Sequence, residues 1–269
     1  MTEDKLANLK KLLTDMGSVA VAYSGGVDST FLLKVAYDCL GERAAGITAV
    51  SPSVPAADLA LAQEIAGQIG VQHVLLESDE MDDARYLAND PNRCYFCKSH
   101  TYDELIPHAQ AHGFRFVVDG NNADDLGDRR PGQTAARERA VRSPLQETGF
   151  TKADIRAAAR QLGLPNWDKP SAACLASRIP YGTTITVQAL SQVERAELLL
   201  RQLGIRQVRV RHHDQVARIE VAPDDFATVL AQREELVKEF KALGYTFIAL
   251  DLAGFRSGSM NEALPQHGR

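Results

Sequence analysis

Two hydrophobic periods alternate along the first 165 residues. Short apolar runs at "SVAVAY" (18–23), "AAGITAV" (44–50), "VQHVLLE" (71–77) and "FRFVVDG" (114–120) predict four strands. Between them, apolar positions recur with helical spacing in "STFLLKVAYDCLG" (29–41), "AADLALAQEIAGQIG" (56–70) and "KSHTYDELIPHAQAHG" (98–113). "TKADIRAAARQLG" (151–163) adds a helix with Thr151 as its cap. Strands alternating with helices at this spacing predict an α/β fold, a parallel sheet with helices on both faces. In such sheets ligands bind beyond the carboxyl ends of the strands. The loops that matter are therefore those after residues 23, 50, 77 and 118.

The period disappears in "LPNWDKPSAACLASRIPYGTT" (164–184). A loop of this length in a compact protein is usually functional or disordered, and a tryptophan and a cysteine inside it favour function. The pattern that follows is different. Helices are predicted at "VQALSQVERAELLLRQLG" (187–204) and "DDFATVLAQREELVKEFKALG" (224–244), and alternating strands at "QVRVRHH" (207–213), "VARIEVA" (216–222) and "YTFIALDL" (245–252). The expected organisation is a nucleotide-type domain at 1–165, a junction and catalytic loop at 166–184, and a small α+β domain at 185–269.

Composition narrows the picture. Across 269 residues, 45% apolar and 24% charged are ordinary globular values. No apolar run approaches the roughly 20 residues needed to cross a bilayer. The first residues read as a charged amphipathic helix rather than a signal peptide, so a cytoplasmic protein without membrane contact is expected. A net charge of −5 argues against a broad nucleic-acid surface. In a reducing compartment the four cysteines, Cys39, Cys94, Cys97 and Cys174, point to metal, cluster or catalytic roles rather than disulfides.

The loop after the first strand reads Ser24-Gly25-Gly26-Val27-Asp28-Ser29. Its glycines let backbone approach a ligand, and the amides that open the following helix attract an anion. Ser24 and Ser29 add hydroxyl donors. Asp28 would repel phosphate unless Mg2+ lies between them. The lysine of the kinase-type loop is absent, so a grip on the β- and γ-phosphates as one leaving unit, with release of pyrophosphate, is the natural chemistry. "SGGVDST" resembles the motif of the PP-loop ATP pyrophosphatases, a superfamily with an adenine nucleotide alpha hydrolase-like fold. The resemblance implies ATP as cofactor and adenylation of the substrate. It also directs attention to Ser51 and Ser53 after the second strand. Gly120, Asn121, Asp124 and Asp125, after the fourth, should face the same crevice.

Cys94 and Cys97 form a C-x-x-C that leads into a helix. A redox pair, half of a zinc site joined by His100, and part of an iron–sulfur cluster are all open. Cys174 lies in the long loop near Lys169 and Arg178, whose charges favour thiolate. With Cys94 and Cys97 it can hold three irons of a 4Fe–4S cluster, leaving a fourth iron open to an extra sulfide. Cys39, inside a helical pattern, reads as a small apolar residue.

"CLASRIPYGTTIT" (174–186), "VRVRHHDQVARIE" (208–220) and "LDLAGFRSGSMNE" (250–262) together resemble the LarE family of sulfur transferases, across nearly the whole chain. That resemblance implies ATP-dependent adenylation of a carboxylate of pyridinium-3,5-biscarboxylic acid mononucleotide. Sulfur is then delivered at the position of Cys174, on the way to a nickel-pincer nucleotide cofactor. It implies homo-oligomers and a sulfide donor that the residues do not name. The extra Cys94 and Cys97 resemble the subgroup with a 4Fe–4S cluster, whereas a lone cysteine would surrender its own sulfur. Arg209 and Arg211 share one face of their strand and suit a substrate phosphate, the alternative being a solvent-facing polar strand. Arg178 is a candidate anion ligand near the reacting centre. Glu197, Glu220 and Asp225 match acidic metal positions of the family, and would otherwise be surface carboxylates; His212 and His213 read as surface residues. Two rival functions stand beside this one, a tRNA thiolase of the same superfamily and a non-catalytic nucleotide-binding or cluster-sensing protein.

Overall fold

The structure, a computed structural model, describes residues 2–127, 131–170, 173–256 and 258–263. The chain forms two compact units, one of residues 1–86 and 92–172, the other of 87–91 and 173–269. The stretches 128–130, 171–172 and residue 257, within three of the segments read above, lie outside the described residues.

The first unit opens with α1 (Thr2–Met16), then runs β1 (Val19–Ala22), α2 (Val27–Leu40), β2 (Ala44–Val50), α3 (Ala56–Ile69) and β3 (Gln72–Glu77). A short α4 (Ala84–Leu87) and the long α5 (Arg93–Ala111) lead to β4 (Phe116–Val118). Helices α6 (Pro131–Glu138), α7 (Pro144–Glu147) and α8 (Lys152–Gln161) complete the unit. The four strands are parallel in the order β3-β2-β1-β4, which is the expected α/β sheet. After β1 the chain steps outward to β2 and β3, then returns to β1's other side for β4. That reversal leaves a crevice at the carboxyl ends of β1 and β4, where open sheets bind ligands. Central β1 is VAVA, and Val19, Ala20 and Val21 are wholly buried, as a strand covered on both faces requires. Leu9 and Leu13 of α1, Phe31 of α2, and Phe150 with Ile155 of α8 fill one core, with the Phe31 and Phe150 rings 5.4 Å apart. Thr151 caps α8 as expected: its hydroxyl accepts the Asp154 N–H while the Asp154 carboxylate accepts the Thr151 N–H.

The second unit holds α9 (Val187–Gln202), β5 (Val208–His213), β6 (Val216–Val221), α10 (Phe226–Ala231), α11 (Arg233–Ala242) and β7 (Phe247–Leu250). Strands β5 and β6 are an antiparallel hairpin, and β7 joins β6 in parallel. Val208, Val210, Ile219 and Val221 bury one sheet face against Ala196 and Leu200 of α9 and Phe240 of α11. The single helix expected over 224–244 is two, broken at Gln232. Its apolar positions Val229, Leu236 and Phe240 keep helical spacing across the break, so the pattern reads through it. Residues 87–91 belong to this unit through Asn89, whose amide donates to the carbonyls of Ile179, Pro180 and Thr183. Among the described residues no helix is long and apolar enough to cross a membrane.

Candidate functional site

The loop after β1 is built by close approach. Gly25 has φ +67°, and a Cβ there would lie 2.8 Å from the Ala62 Cβ of α3, so the backbone sits where no side chain fits. Asn166, in the aperiodic segment, donates to the Gly25 carbonyl at 3.0 Å and to Thr30 Oγ1 at 2.9 Å. Ser29 closes the loop from within: its hydroxyl lies 3.2 Å from Ser24 Oγ and from the Gly26 carbonyl. Gly26 caps α2, so the Val27, Asp28 and Ser29 amides open that helix.

The loop after β4 meets it. A Cβ on Gly120 would fall 2.9 Å from the Ser29 nitrogen, so only glycine lets the two loops touch. Asn122 donates to Asp28 Oδ2 at 3.4 Å, and Asp124 accepts the Lys152 N–H at 2.8 Å. The structure therefore brings Ser24, Gly25, Gly26, Asp28, Ser29, Gly120 and Asp124 together at one sheet end. Ser53 lies at the neighbouring strand end, and its hydroxyl, like that of Ser51, donates to the buried carboxylate of Glu80.

One group here was not singled out in the sequence. Lys152, the first residue of α8, places its ammonium 2.6 Å from Asp28 Oδ2. The loop lacks a lysine of its own, and this element supplies one from 124 residues away. A signal existed: helix dipoles disfavour a cation at an N-terminus, so lysine directly after a cap marks a counter-charge elsewhere. The other carboxylate oxygen, Asp28 Oδ1, is buried without a hydrogen-bond partner among the described residues. A buried acceptor left open is costly, and a carboxylate oxygen is a hard ligand suited to Mg2+.

Cys94 and Cys97 lie in the first turn of α5, Cys94 exposed and Cys97 half-buried. Lys98 follows, its ammonium 5.5 Å from the Tyr102 ring, and Tyr102 donates to Asp119 at the end of β4. Burial pushes the Asp119 carboxyl above its ordinary range. The C-x-x-C helix thus adjoins the same crevice end of the sheet. His100 is engaged by Asp79 at 2.6 Å and Asp83 at 2.9 Å. Cys39 packs half-buried on the core, and burial raises its thiol pKa.

In the second unit Cys174 is half-buried and begins a 3-10 turn, Leu175–Arg178. The alternative reading of Arg209 and Arg211, a solvent-facing polar strand, is excluded. Arg209 and Arg211 are 6% and 5% exposed, because Arg209 lies under the Phe255 ring and Arg211 bonds Ser259 of the last turn. The alternative for Glu197 and Glu220, surface carboxylates, is excluded too: both are buried, Glu197 taking the Arg178 guanidinium on both oxygens and Glu220 taking Arg211, Arg218 and Ser259. Counter-charges within the unit stabilise burial that polarity alone would oppose. Asp225 stays half-buried at the start of α10. His212 is buried against Tyr245, not at the surface, whereas His213 is exposed. Burial, with Arg178 and Arg211 nearby, lowers the Arg209 pKa to about 10.

No protein-family model matches the chain. It is 48% identical over 266 residues, 98% of its own length and 99% of the relative's, to an uncharacterized protein of Synechocystis. It is 39% identical over 261 residues, 97% of its length and 95% of the relative's, to the pyridinium-3,5-bisthiocarboxylic acid mononucleotide synthase of Lactiplantibacillus plantarum. A third relative, an uncharacterized protein of Methanocaldococcus jannaschii, is 30% identical over 256 residues.

Proposed function

The chain belongs to the pyridinium-3,5-bisthiocarboxylic acid mononucleotide synthase family, and from that premise we propose that it is an ATP-dependent sulfur transferase acting on pyridinium-3,5-biscarboxylic acid mononucleotide. The observation that carries the reading is the near-complete alignment with the named synthase. The meeting of the loops after β1 and β4 around Asp28 supports the nucleotide half of it.

A substrate carboxylate oxygen attacks the α-phosphorus of ATP and pyrophosphate leaves. A sulfur nucleophile then adds to the acyl carbon and AMP leaves, so carboxylate, ATP and hydrosulfide give thiocarboxylate, AMP and pyrophosphate. The amides that open α2, with Ser24 and Ser29, hold the departing pyrophosphate. Asp28, with one carboxylate oxygen unpartnered among the described residues, would hold Mg2+, which would offset charge on the phosphates. Lys152, paired with Asp28, would be free to turn to a phosphate oxygen wherever Asp28 served as a metal ligand. Arg209 supplies positive charge for the substrate phosphate, while Glu220 holds the neighbouring Arg211.

Cys94, Cys97 and Cys174 are the ligands we propose for a 4Fe–4S cluster. The first two present thiols from one helical turn, which suits neighbouring irons. When bound, the cluster would supply an open iron to carry the transferred sulfide, so that Cys174 would keep its own sulfur. The experiment is anaerobic turnover with ATP, the biscarboxylate mononucleotide and sulfide, reading pyrophosphate and thiocarboxylate. Equal amounts of both are expected. Pyrophosphate release driven by tRNA but not by the mononucleotide would replace this function with tRNA thiolation.

A further inference from the structure

We infer that Arg178 and Glu197 are a positioning pair for Cys174, fixing the turn that presents its sulfur, and that Arg178 is not a ligand of the substrate anion. The inference deepens the sulfur-transfer reading and rests on it for the role of Cys174.

The Cys174 carbonyl is held by three donors: the Ser177 N–H at 3.0 Å, the Ser177 hydroxyl at 2.8 Å and Arg178 Nη1 at 3.0 Å. Arg178 Nη1 also donates to the Ala173 carbonyl at 2.6 Å. The guanidinium therefore grips the peptide carbonyls on both sides of the Cys174 Cα. Its other edge forms a fork on Glu197, with Nε to Oε1 at 2.8 Å and Nη2 to Oε2 at 2.9 Å. Glu197 sits within α9, 3% exposed, and also accepts the Val210 N–H of β5 at 3.1 Å. A continuous polar path thus runs from the cysteine turn through one guanidinium and one carboxylate to a helix and a strand.

A second strut acts on the same turn. Arg211 donates to the Ser177 carbonyl at 2.9 Å while Glu220 holds its Nε and Nη2 at 3.0 and 2.8 Å. Arg178 is 1% exposed, and at most one of its five N–H groups lacks an acceptor among the described residues. It has nothing left with which to grip a phosphate bidentately. A planar fork held on carboxylate and carbonyls is a geometry that lysine does not reproduce.

The chemical need is clear. An acyl adenylate that waits for a misplaced nucleophile reacts with water, regenerating carboxylate and releasing AMP. Small displacements of a reacting group lower rates by as much as about 100-fold. Loosening the turn should therefore uncouple the two half-reactions.

The experiment compares wild type with Arg178→Lys, purified identically. In the absence of ATP and substrate, and with both proteins freed of bound metal by a chelator, iodoacetamide labelling of the Cys174 peptide, resolved by mass spectrometry, should be at least threefold faster in the variant. In turnover, thiocarboxylate formed per pyrophosphate released should fall at least tenfold. A tenfold rise in KM for the mononucleotide, with that ratio unchanged, would make Arg178 an anion ligand and overturn the inference. Unchanged labelling together with an unchanged ratio would overturn it as well. If Arg178→Lys does not fold, Arg178→Met with Glu197→Leu removes the pair at similar volume without leaving a buried charge, and the same readings are expected. Should wild type itself release no pyrophosphate with the mononucleotide, the sulfur-transfer reading fails, and the labelling comparison alone decides the brace.

Discussion

Replacing Lys152 by alanine separates a nucleotide-site role from a structural one. Lys152 and Asp28 form an ion pair at 2.6 Å, with side chains 30% and 22% exposed. Partly solvated pairs of this kind contribute about 0–1 kcal/mol. The backbone N–H of residue 152 on Asp124 survives the substitution. Stability should fall by no more than about 1 kcal/mol, or roughly 2–4 °C in melting temperature. If Lys152 grips a phosphate oxygen once Mg2+ takes Asp28, a charge-assisted bond of about 1.5–3 kcal/mol is lost. At about 1.4 kcal/mol per factor of ten, that weakens Mg–ATP binding by roughly 10- to 150-fold. Calorimetric titration of Mg–ATP into both proteins, beside thermal melts, provides the two numbers. Binding and pyrophosphate release within twofold of wild type would refute the argument and leave Lys152 as a local counter-ion.

Asp154 is held at about 2 by its bond to the Lys5 ammonium and by the Thr151 amide and hydroxyl. A folded value below the ordinary carboxylate one stabilises the fold above about pH 4 and stops doing so as pH falls towards 2. The melting-temperature gap between wild type and Asp154→Asn should therefore close across that window; a gap constant with pH would contradict it. Protein purified without oxygen should carry about four irons per chain, lost on replacing Cys94, Cys97 or Cys174 and kept on replacing Cys39, as elemental analysis would reveal; stoichiometric zinc in place of iron would overturn the cluster. After several turnovers with supplied sulfide, the Cys174 peptide should keep its mass. Loss of the elements of hydrogen sulfide in step with product would instead make Cys174 the sacrificed sulfur source.

Local order was legible in the sequence. Apolar runs of four to seven residues gave β1, β2 and β3 close to their observed limits, and Thr151 announced α8, because these features depend on neighbours along the chain. The glycine loop was legible too, since its backbone path needs residues without side chains. What tertiary structure decided was partnership. Period-two alternation separated Arg209 and Arg211 from Val208 and Val210, but alternation says only which residues share a face and not what covers it. Phe255 and Ser259, more than forty residues on, cover that face, and Glu220 makes the burial tolerable. Arg178 sits four residues from Cys174, and the sequence suggested an anion ligand near the reacting centre; the fold gave it Glu197. Lys152 became part of the candidate nucleotide site only because the sheet order β3-β2-β1-β4 carries the segment after β4 back beside β1. Strand order arises from packing of the whole domain, so no local pattern encodes which distant charge will meet Asp28.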